Sequence, residues 1–232
     1  AGVFDGRFGW YRSYIQNGAA FNFDALTDEL GTRWESLRIA PKLYPCAYTM
    51  MPFISAALAL REQHHIQPQD VHEIRCEIMP RSFATICEPV EEKRRPLTSW
   101  HGRISLQHTV AEALALGRFD KDAYAPENLR NPVINALADK VVHLPDPIAA
   151  KDTSRSRGVV TVELNDGRIL THTVEDMLGT ERNPAPESVY LDKFRSNVRD
   201  ALPTAAARKL EQQLLDIDRI GDVEAMFAAL PR

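Results

Sequence analysis

Residues 158–174 read Gly-Val-Val-Thr-Val-Glu-Leu-Asn-Asp-Gly-Arg-Ile-Leu-Thr-His-Thr-Val, and this stretch predicts a β-hairpin. Between residues 160 and 164 apolar and polar side chains alternate, which is typical of a strand that buries one face. The pair Asp166-Gly167 supplies the positive φ that a tight hairpin turn requires, and residues 169–174 form the returning strand. The fold therefore includes antiparallel β-structure.

The sequence on either side of the hairpin shows helical and strand patterns. Residues 71–79 alternate cleanly, with Ile74, Cys76 and Ile78 on one face, and predict a half-buried strand. Two signals predict the helices: apolar residues at helical spacing, and capping residues at the helix ends. In chain order the predicted elements are a short helix at 23–30, a short strand at 33–40, a helix at 51–62, the strand at 71–79, a long charged loop at 88–103, helices at 105–116 and 131–139, a strand at 141–144, the hairpin, and helices at 187–200, 204–216 and 222–229. This order predicts an α+β fold with a helical C-terminal tail.

Composition excludes several classes of protein. The chain has 232 residues, of which 44% are hydrophobic and 26% charged, as in an ordinary globular protein. Its net charge of −4 provides no basic excess for a phosphate backbone, so we expect no nucleic-acid partner. No apolar run approaches the ~18 residues of a transmembrane helix, so we expect no membrane partner. Three cysteines without a C-x-x-C pair favour a reducing compartment. The first residues lack the regions of a signal peptide, and we predict a cytoplasmic protein.

Common catalytic and metal-binding motifs are missing from the sequence. It contains no G-x-G-x-x-G, P-loop, H-E-x-x-H or G-x-S-x-G motif. The adjacent His64 and His65 would point about 100° apart on a helix, so they predict a solvated helix end and no metal site. Cys46 has no histidine partner in the sequence pattern and is interpreted as a small buried hydrophobe. The charged run at 91–95 is interpreted as a solvated loop.

Three stretches of the chain carry motif residues in a consistent order. They are residues 4–9 (Phe-Asp-Gly-Arg-Phe-Gly), residues 42–46 (Lys-Leu-Tyr-Pro-Cys) leading into the helix at 53–58, and residues 96–98 (Pro-Leu-Thr) followed by 102–108 (Gly-Arg-Ile-Ser-Leu-Gln-His). Together they resemble the MmgE/PrpD family, which has the motifs E-G-x-x-G, K-x-Y/F-P before a helix, and P-x-T followed by A-x-F-S-x-x-Y. This family includes 2-methylcitrate dehydratase, cis-aconitate decarboxylase and iminodisuccinate epimerase.

The resemblance covers only the C-terminal half of that family. It implies that residues 1–35 continue from an N-terminal all-helical domain that is missing here. Residues 36–182 would then form a small α+β domain of the lid type, and residues 183–232 would be helices that return to the helical domain. The resemblance further implies a homodimer that assembles through the missing domain.

The implied function is that of a lyase or isomerase acting on a small di- or tricarboxylate, most simply a hydro-lyase. Family reactions remove a proton next to a carboxylate and then proceed by dehydration, decarboxylation or epimerisation, without a metal or other cofactor. This chain alone would carry an incomplete active site. Two other functions remain open, namely a catalytically inactive lid that assembles with a helical partner, and an unrelated α+β binding module.

The resemblance places five candidate site residues on the chain. Lys42, held between two prolines, would be a proton carrier or a carboxylate clamp. His108 falls where the family often has a tyrosine beside the substrate, and it would donate a hydrogen bond from the polar face of its helix. Arg103, Ser105 and Tyr48 are the candidate substrate-binding residues. Because several donors must meet around a polycarboxylate, Lys42 is expected to lie near the 96–108 segment.

Two departures from the family pattern bear on activity. Tyr48 and Met51 stand where many members have an arginine and a histidine. Methionine can neither carry a proton nor hold a carboxylate, so the departures favour an altered substrate or the inactive-lid alternative.

Overall fold

A computed structural model of the chain describes residues 2–4, 6–7, 9–14, 23–152 and 157–228. The chain divides into two compact units, residues 1–39 and residues 40–232. Two residues of the first family-like stretch, Asp5 and Phe8, lie outside the described residues.

The first unit is built from short turns. It contains α1 (Trp10–Tyr14) and two 3-10 turns, Phe23–Leu26 and Glu35–Arg38. The strand predicted at 33–40 is wrong, because Glu35 forms ion pairs with Arg33 and Arg38 that close a local turn. The aromatic side chains of Phe4, Trp10 and Tyr14 in this unit are exposed.

The second unit contains all the β-structure in the described part of the chain. Its α-helices are α2 (Met51–His64), α3 (Val90–Arg94), α4 (Ser99–Gly102), α5 (Leu106–Leu116), α6 (Pro126–Leu129), α7 (Pro132–Asp139), α8 (Glu187–Val198), α9 (Thr204–Leu215) and α10 (Val223–Ala228). Its strands are β1 (Val71–Ile78), β2 (Val141–Pro145), β3 (Gly158–Leu164) and β4 (Ile169–Val174). Short 3-10 turns are Tyr48–Met50, Pro68–Asp70, Pro80–Ser82 and Ile217–Arg219, and Phe83–Cys87 is a π-helical turn. The α+β fold predicted from the sequence is confirmed.

The four strands form one mixed sheet in the order β2-β1-β3-β4. The pair β1–β2 is parallel, and the other two pairs are antiparallel. The predicted hairpin is confirmed, since β3 pairs with β4 and Gly167 adopts a φ of 87° in the turn. The predicted alternation of β1 is also confirmed, with Ile74, Cys76 and Ile78 buried. The helices α2 and α5 pack together, α2 also covers β3 and β4, and α7 packs on α5.

The helix α5 begins and ends where the sequence predicts. Gly117 follows its last turn with a φ of 66°, a left-handed conformation that favours glycine. The Arg61 guanidinium of α2 donates to the carbonyl of Ala115 at 2.8 Å and also to that of Leu114. A cation at a helix C-terminus satisfies carbonyls that lack a helical partner. The pairing of α2 with α5 therefore fixes the helix that carries His108.

The long loop predicted at 88–103 is wrong in part. The segment contains the short helices α3 and α4, and Lys93 of α3 is buried instead of solvated. Its ammonium donates to the carbonyl oxygens of Thr85 and Ile104, each at 2.8 Å. A buried lysine whose donors find carbonyl oxygens can form part of a core, and this one holds α3 against the start of α5.

The C-terminal helices are more exposed than the rest of the second unit. In the described residues α8 has no buried side chain, and α9 buries only Leu210. Arg195 of α8 joins the two helices through Glu211, with N–O distances of 2.8 and 2.7 Å. Within the described ranges no helix combines the length and apolarity needed to span a bilayer.

Candidate active site

The two family-like stretches of the second unit meet through their backbones. The Ala47 N–H donates to the carbonyl oxygen of Arg103 at 2.8 Å, although 56 residues separate the two in sequence. Pro41 and Pro45 restrict the backbone on both sides of Lys42, and α2 begins shortly afterwards. The segment at 42–47 is therefore fixed against Arg103, which lies three positions before the first residue of α5.

Cys46 is buried in the segment that carries Lys42. Its side chain is 3% exposed, and burial raises the pKa of the thiol to about 12, while the charges of Lys42 and Arg103 lower it. The thiol is therefore neutral at physiological pH, which agrees with its interpretation as a small buried hydrophobe. The backbone of the 42–47 segment lies against Arg103, and the convergence of the Lys42 and Arg103 side chains stays a prediction. Both side chains themselves are exposed.

Arg103 lines a cleft of about 460 Å³ in the second unit. One wall comes from residues 43–45, Arg103 and residues 119–121, and the other comes mainly from α8. Lys42 is not part of the lining, but its neighbour Leu43 is. The candidate site is thus a surface around residues 42–46 that continues into this cleft.

His108 lies inside the domain and not on an open face. It is fully buried, its Nε2 lies 3.3 Å from Oε2 of Glu112, and its ring stacks against Tyr124 with 6.2 Å between ring centroids. Neither ring nitrogen has a partner with hydrogen-bond geometry among the described residues. The sequence predicts a polar face of α5 that could point into a cleft. In the structure Tyr124 covers that face, because the chain turns back over α5 after Phe119.

The sequence did not indicate a role for Glu112. Its carboxylate is buried next to His108 and accepts hydrogen bonds from two groups. Its Oε1 accepts from the Tyr124 backbone N–H at 3.0 Å and from the Asn128 side-chain amide at 2.7 Å. Tyr124 has a φ of 62°, and its hydroxyl is hydrogen-bonded to Thr109 at 2.8 Å. The spacing of His108 and Glu112, four residues apart on one helix, is the feature of the sequence that could have indicated the pair.

Ser105 and Tyr48 do not join the cleft. Ser105 is fully buried, and its hydroxyl donates to the His101 carbonyl oxygen at 2.7 Å. Tyr48 is partly exposed in the turn that precedes α2. Met51, the second departure from the family pattern, is fully buried in the hydrophobic core. Of the five predicted residues, Arg103 lines the cleft, Lys42 lies on the adjoining segment, and His108 and Ser105 are buried inside the domain.

The family model of the MmgE/PrpD C-terminal domain matches residues 44–218. The chain belongs to the MmgE/PrpD family. The match covers the whole sheet, α2 to α9 and four of the five candidate residues, and it starts two residues after Lys42. The resemblance to this family is thereby confirmed; the match covers the stretch at 96–108 and part of that at 42–46, and it does not extend to residues 4–9.

Two relatives of this MmgE/PrpD domain have named activities. The cis-aconitate decarboxylase of Aspergillus terreus (strain NIH 2624) is 27% identical over 211 residues, which are 87% of this chain and 42% of that protein. The 2-methylcitrate dehydratase of Salmonella typhimurium (strain LT2) is 28% identical over 182 residues, which are 75% of this chain and 36% of that protein. The match therefore spans less than half the length of these relatives.

The MmgE/PrpD domain offers cations for binding and no preformed metal site. In the described ranges no three His, Cys, Asp or Glu side chains come together as ligands. Exposed guanidinium and ammonium groups hold carboxylates through charge-assisted hydrogen bonds. The surface around residues 42–46 can therefore orient an anionic substrate.

Proposed function

We propose that this chain is the small-domain part of a lyase that acts on a small di- or tricarboxylate. The observation that carries the proposal is the backbone hydrogen bond from Ala47 to Arg103, which holds the segment of Lys42 against a cation that lines the cleft. The names of the two relatives, a decarboxylase and a dehydratase of polycarboxylates, support the same reaction type. A hydro-lyase reaction, with proton removal next to a carboxylate and no cofactor, is the specific form that we propose.

In this mechanism the two cations bind and polarise the substrate. Removing a proton next to a carboxylate places developing negative charge on that group, and a cation already in position stabilises it. Lysines become proton carriers when burial desolvates the ammonium, and Lys42 is exposed in this chain. We therefore assign carboxylate binding to Lys42 and Arg103.

His108 is proposed as the hydrogen-bond donor. Its Nε2 lies 3.3 Å from Oε2 of Glu112, but neither ring nitrogen has a partner with hydrogen-bond geometry within the described residues. A neutral imidazole carries one N–H donor, so that donor is not used by a hydrogen bond inside the described part of the domain. Substrate contact at His108 requires the Tyr124 side chain to move away. Ser105 and Tyr48 remain proposed substrate-binding residues.

The complete site requires a larger assembly. We propose that residues 1–35 continue from a helical domain, that residues 36–182 form the small domain, and that residues 183–232 return to the helical domain. The exposed aromatic rings of α1 and the lack of buried side chains on α8 support this arrangement. A homodimer that assembles through the helical domain and acts in the cytoplasm completes the proposal.

The test is turnover by the complete protein. Cis-aconitate, citrate and 2-methylcitrate are the substrates to assay, with Lys42→Ala as the test variant and the exposed Lys209→Ala of α9 as its matched control. Lys42→Ala is expected to lose about 10²–10⁴-fold in rate, and Lys209→Ala is expected to keep wild-type rates. If no polycarboxylate is turned over, or if Lys42→Ala retains full activity, the proposed function is wrong.

A second candidate is a catalytically inactive lid that assembles with a helical partner. The observation that favours it is the complete burial of His108 beneath Tyr124. The same assay decides between the two, because an inactive lid leaves every substrate of the panel unchanged.

A further inference from the structure

The cleft beside Arg103 is built by two separate parts of the chain. Residues 43–45, Arg103 and residues 119–121 form one wall, and Val189, Lys193 and their neighbours on α8 form the other. Its volume of about 460 Å³ lies in the range of about 300–1,000 Å³ that small-molecule sites occupy. Tyr44, Phe119 and Leu178 give the cleft apolar surface between its charged groups.

The α8 wall is fastened past its C-terminal end. There Arg199 donates to Asp122 at 2.6 Å, and Lys121 pairs with Asp200. Eight residues before α8, Gly179 with a φ of 94° packs so closely on Pro41 that an added Cβ would lie 3.1 Å from that ring. The C-terminal end of α8 is therefore tied to residues 121–122, next to the opposite wall of the cleft.

Some of the charged side chains that line the cleft have ion-pair partners among the described residues, and others do not. Its two carboxylates pair with arginines outside the lining, Asp120 with Arg118 at 2.9 Å and Asp192 with Arg195 at 3.4 Å. Among the described residues Lys193 forms no ion pair, and neither does Arg103. Two cations without counter-ions in one concave site attract an anion with at least two charges.

Lys193 also lies next to the segment that carries Lys42. Its ammonium is 3.4 Å from the carbonyl oxygen of Leu43, the residue that follows Lys42. Three cations therefore come from the short segment at 42–47 or from residues that contact it. Lys42 belongs to the segment, Arg103 accepts the Ala47 N–H just before α5, and Lys193 of α8 contacts Leu43. A substrate with one carboxylate near Lys42 can extend a second one into the cleft.

We propose that the cleft is a carboxylate subsite and that Lys193 of α8, together with Arg103, binds the carboxylate most distant from Lys42. This inference rests on the proposed function and specifies its substrate class as a tricarboxylate. It gives α8 a role in substrate binding, in addition to any packing on a helical domain.

The experiment compares Lys193→Met with Lys209→Met in the complete protein. KM and kcat are measured for a tricarboxylate and a dicarboxylate, and citrate binding is measured separately by calorimetry. Loss of one charge-assisted contact is expected to weaken tricarboxylate KM and citrate Kd by about 10–100-fold. Dicarboxylate KM should change less than threefold, kcat less than twofold, and Lys193→Arg should restore most of the affinity. Lys209→Met should match the wild type.

The outcomes separate the subsite from the proposed function. Turnover with unchanged tricarboxylate KM in Lys193→Met overturns the subsite and leaves the function standing. Citrate binding that weakens in Lys193→Met without any turnover supports the subsite and overturns the function. Inorganic phosphate that competes with citrate at equal affinity overturns the carboxylate assignment, since the cleft would then bind any small anion.

Discussion

Two sets of charged side chains lie near the start of α5, and the fold treats them differently. In the inner set, Lys93 donates to two carbonyl oxygens, and Glu112 accepts from a backbone N–H and an amide. In the outer set, Lys42, Arg103 and Lys193 have no ion pair among the described residues. The inner side chains are buried, whereas Lys42 and Arg103 are exposed and Lys193 is half-buried.

The difference between the sets follows from the cost of burial. A buried charge without partners costs several kcal/mol, so the fold must supply hydrogen bonds for it. An exposed cation has no such cost, and its hydrogen bonds remain available to a ligand. The inner set should therefore affect stability when it is changed, and the outer set should affect binding and rate.

Replacement of Glu112 should have the largest effect on stability. Glu112→Ala leaves the Tyr124 N–H and the Asn128 amide without their acceptor, and we expect a loss of about 3 kcal/mol in the free energy of unfolding. Glu112→Gln keeps an acceptor oxygen and should lose less. Urea unfolding followed by circular dichroism measures both. The exposed Glu127→Ala of α6 is the control, and an equal effect of the two alanine variants would refute the structural role of Glu112.

Replacement of Lys93 should have the next largest effect. Lys93→Met preserves most of the volume of the side chain but leaves the carbonyls of Thr85 and Ile104 without a donor, at a cost of about 2 kcal/mol. Lys209→Met, on the exposed surface of α9, should change the free energy of unfolding by less than about 0.5 kcal/mol. Equal midpoints of urea unfolding for the two variants would show that Lys93 does not hold α3.

The inner set also marks the limit of prediction from sequence. Alternating burial could be read in β1 and the hairpin because it depends on local periodicity, and α5 could be bounded because Ser105 and Gly117 flank it. Lys93 was assigned to a solvated loop because its partners are backbone carbonyls, which no side-chain pattern reveals. The edge position of β2, parallel to β1, likewise depends on contacts distant in sequence.

Two members of the outer set, Lys42 and Arg103, could be named from the sequence because they lie in family-like motifs, and their common site stays a prediction. The burial of His108 could not be predicted in this way. A polar helix face that points into a cleft and one covered by a distant tyrosine have the same sequence pattern. The role of Lys193 also could not be found, because α8 reaches the cleft only through tertiary packing around Pro41 and residues 120–122.

The buried thiol of Cys46 should produce a pH-dependent effect. Its pKa is about 12 when folded and 9.0 for an unperturbed thiol. Above pH 9 the unfolded chain loses this proton while the folded chain keeps it, so stability present below pH 9 is lost as the pH rises towards 12. At pH 10 the loss is on the order of 1 kcal/mol. Cys46→Ala removes this contribution, so its unfolding free energy should fall less between pH 8 and pH 10 than that of the wild type. Parallel curves for the two proteins would contradict the raised pKa.

The smallest effect on stability is expected for Lys42→Ala. The side chain is exposed and has no ion pair in the described residues, so its removal should change the free energy of unfolding by less than about 0.5 kcal/mol. The same variant should lose most of its turnover, since a clamp on the substrate is absent.

Lys93→Met should show the opposite combination, with reduced stability, and turnover that recovers at temperatures where the variant is fully folded. Both variants remove a lysine. The difference expected between them therefore depends on whether the ammonium group has hydrogen-bond partners inside the protein. If Lys42→Ala lowered stability as much as Lys93→Met, Lys42 would belong to the inner set, and its assignment to the substrate would lose its physical basis.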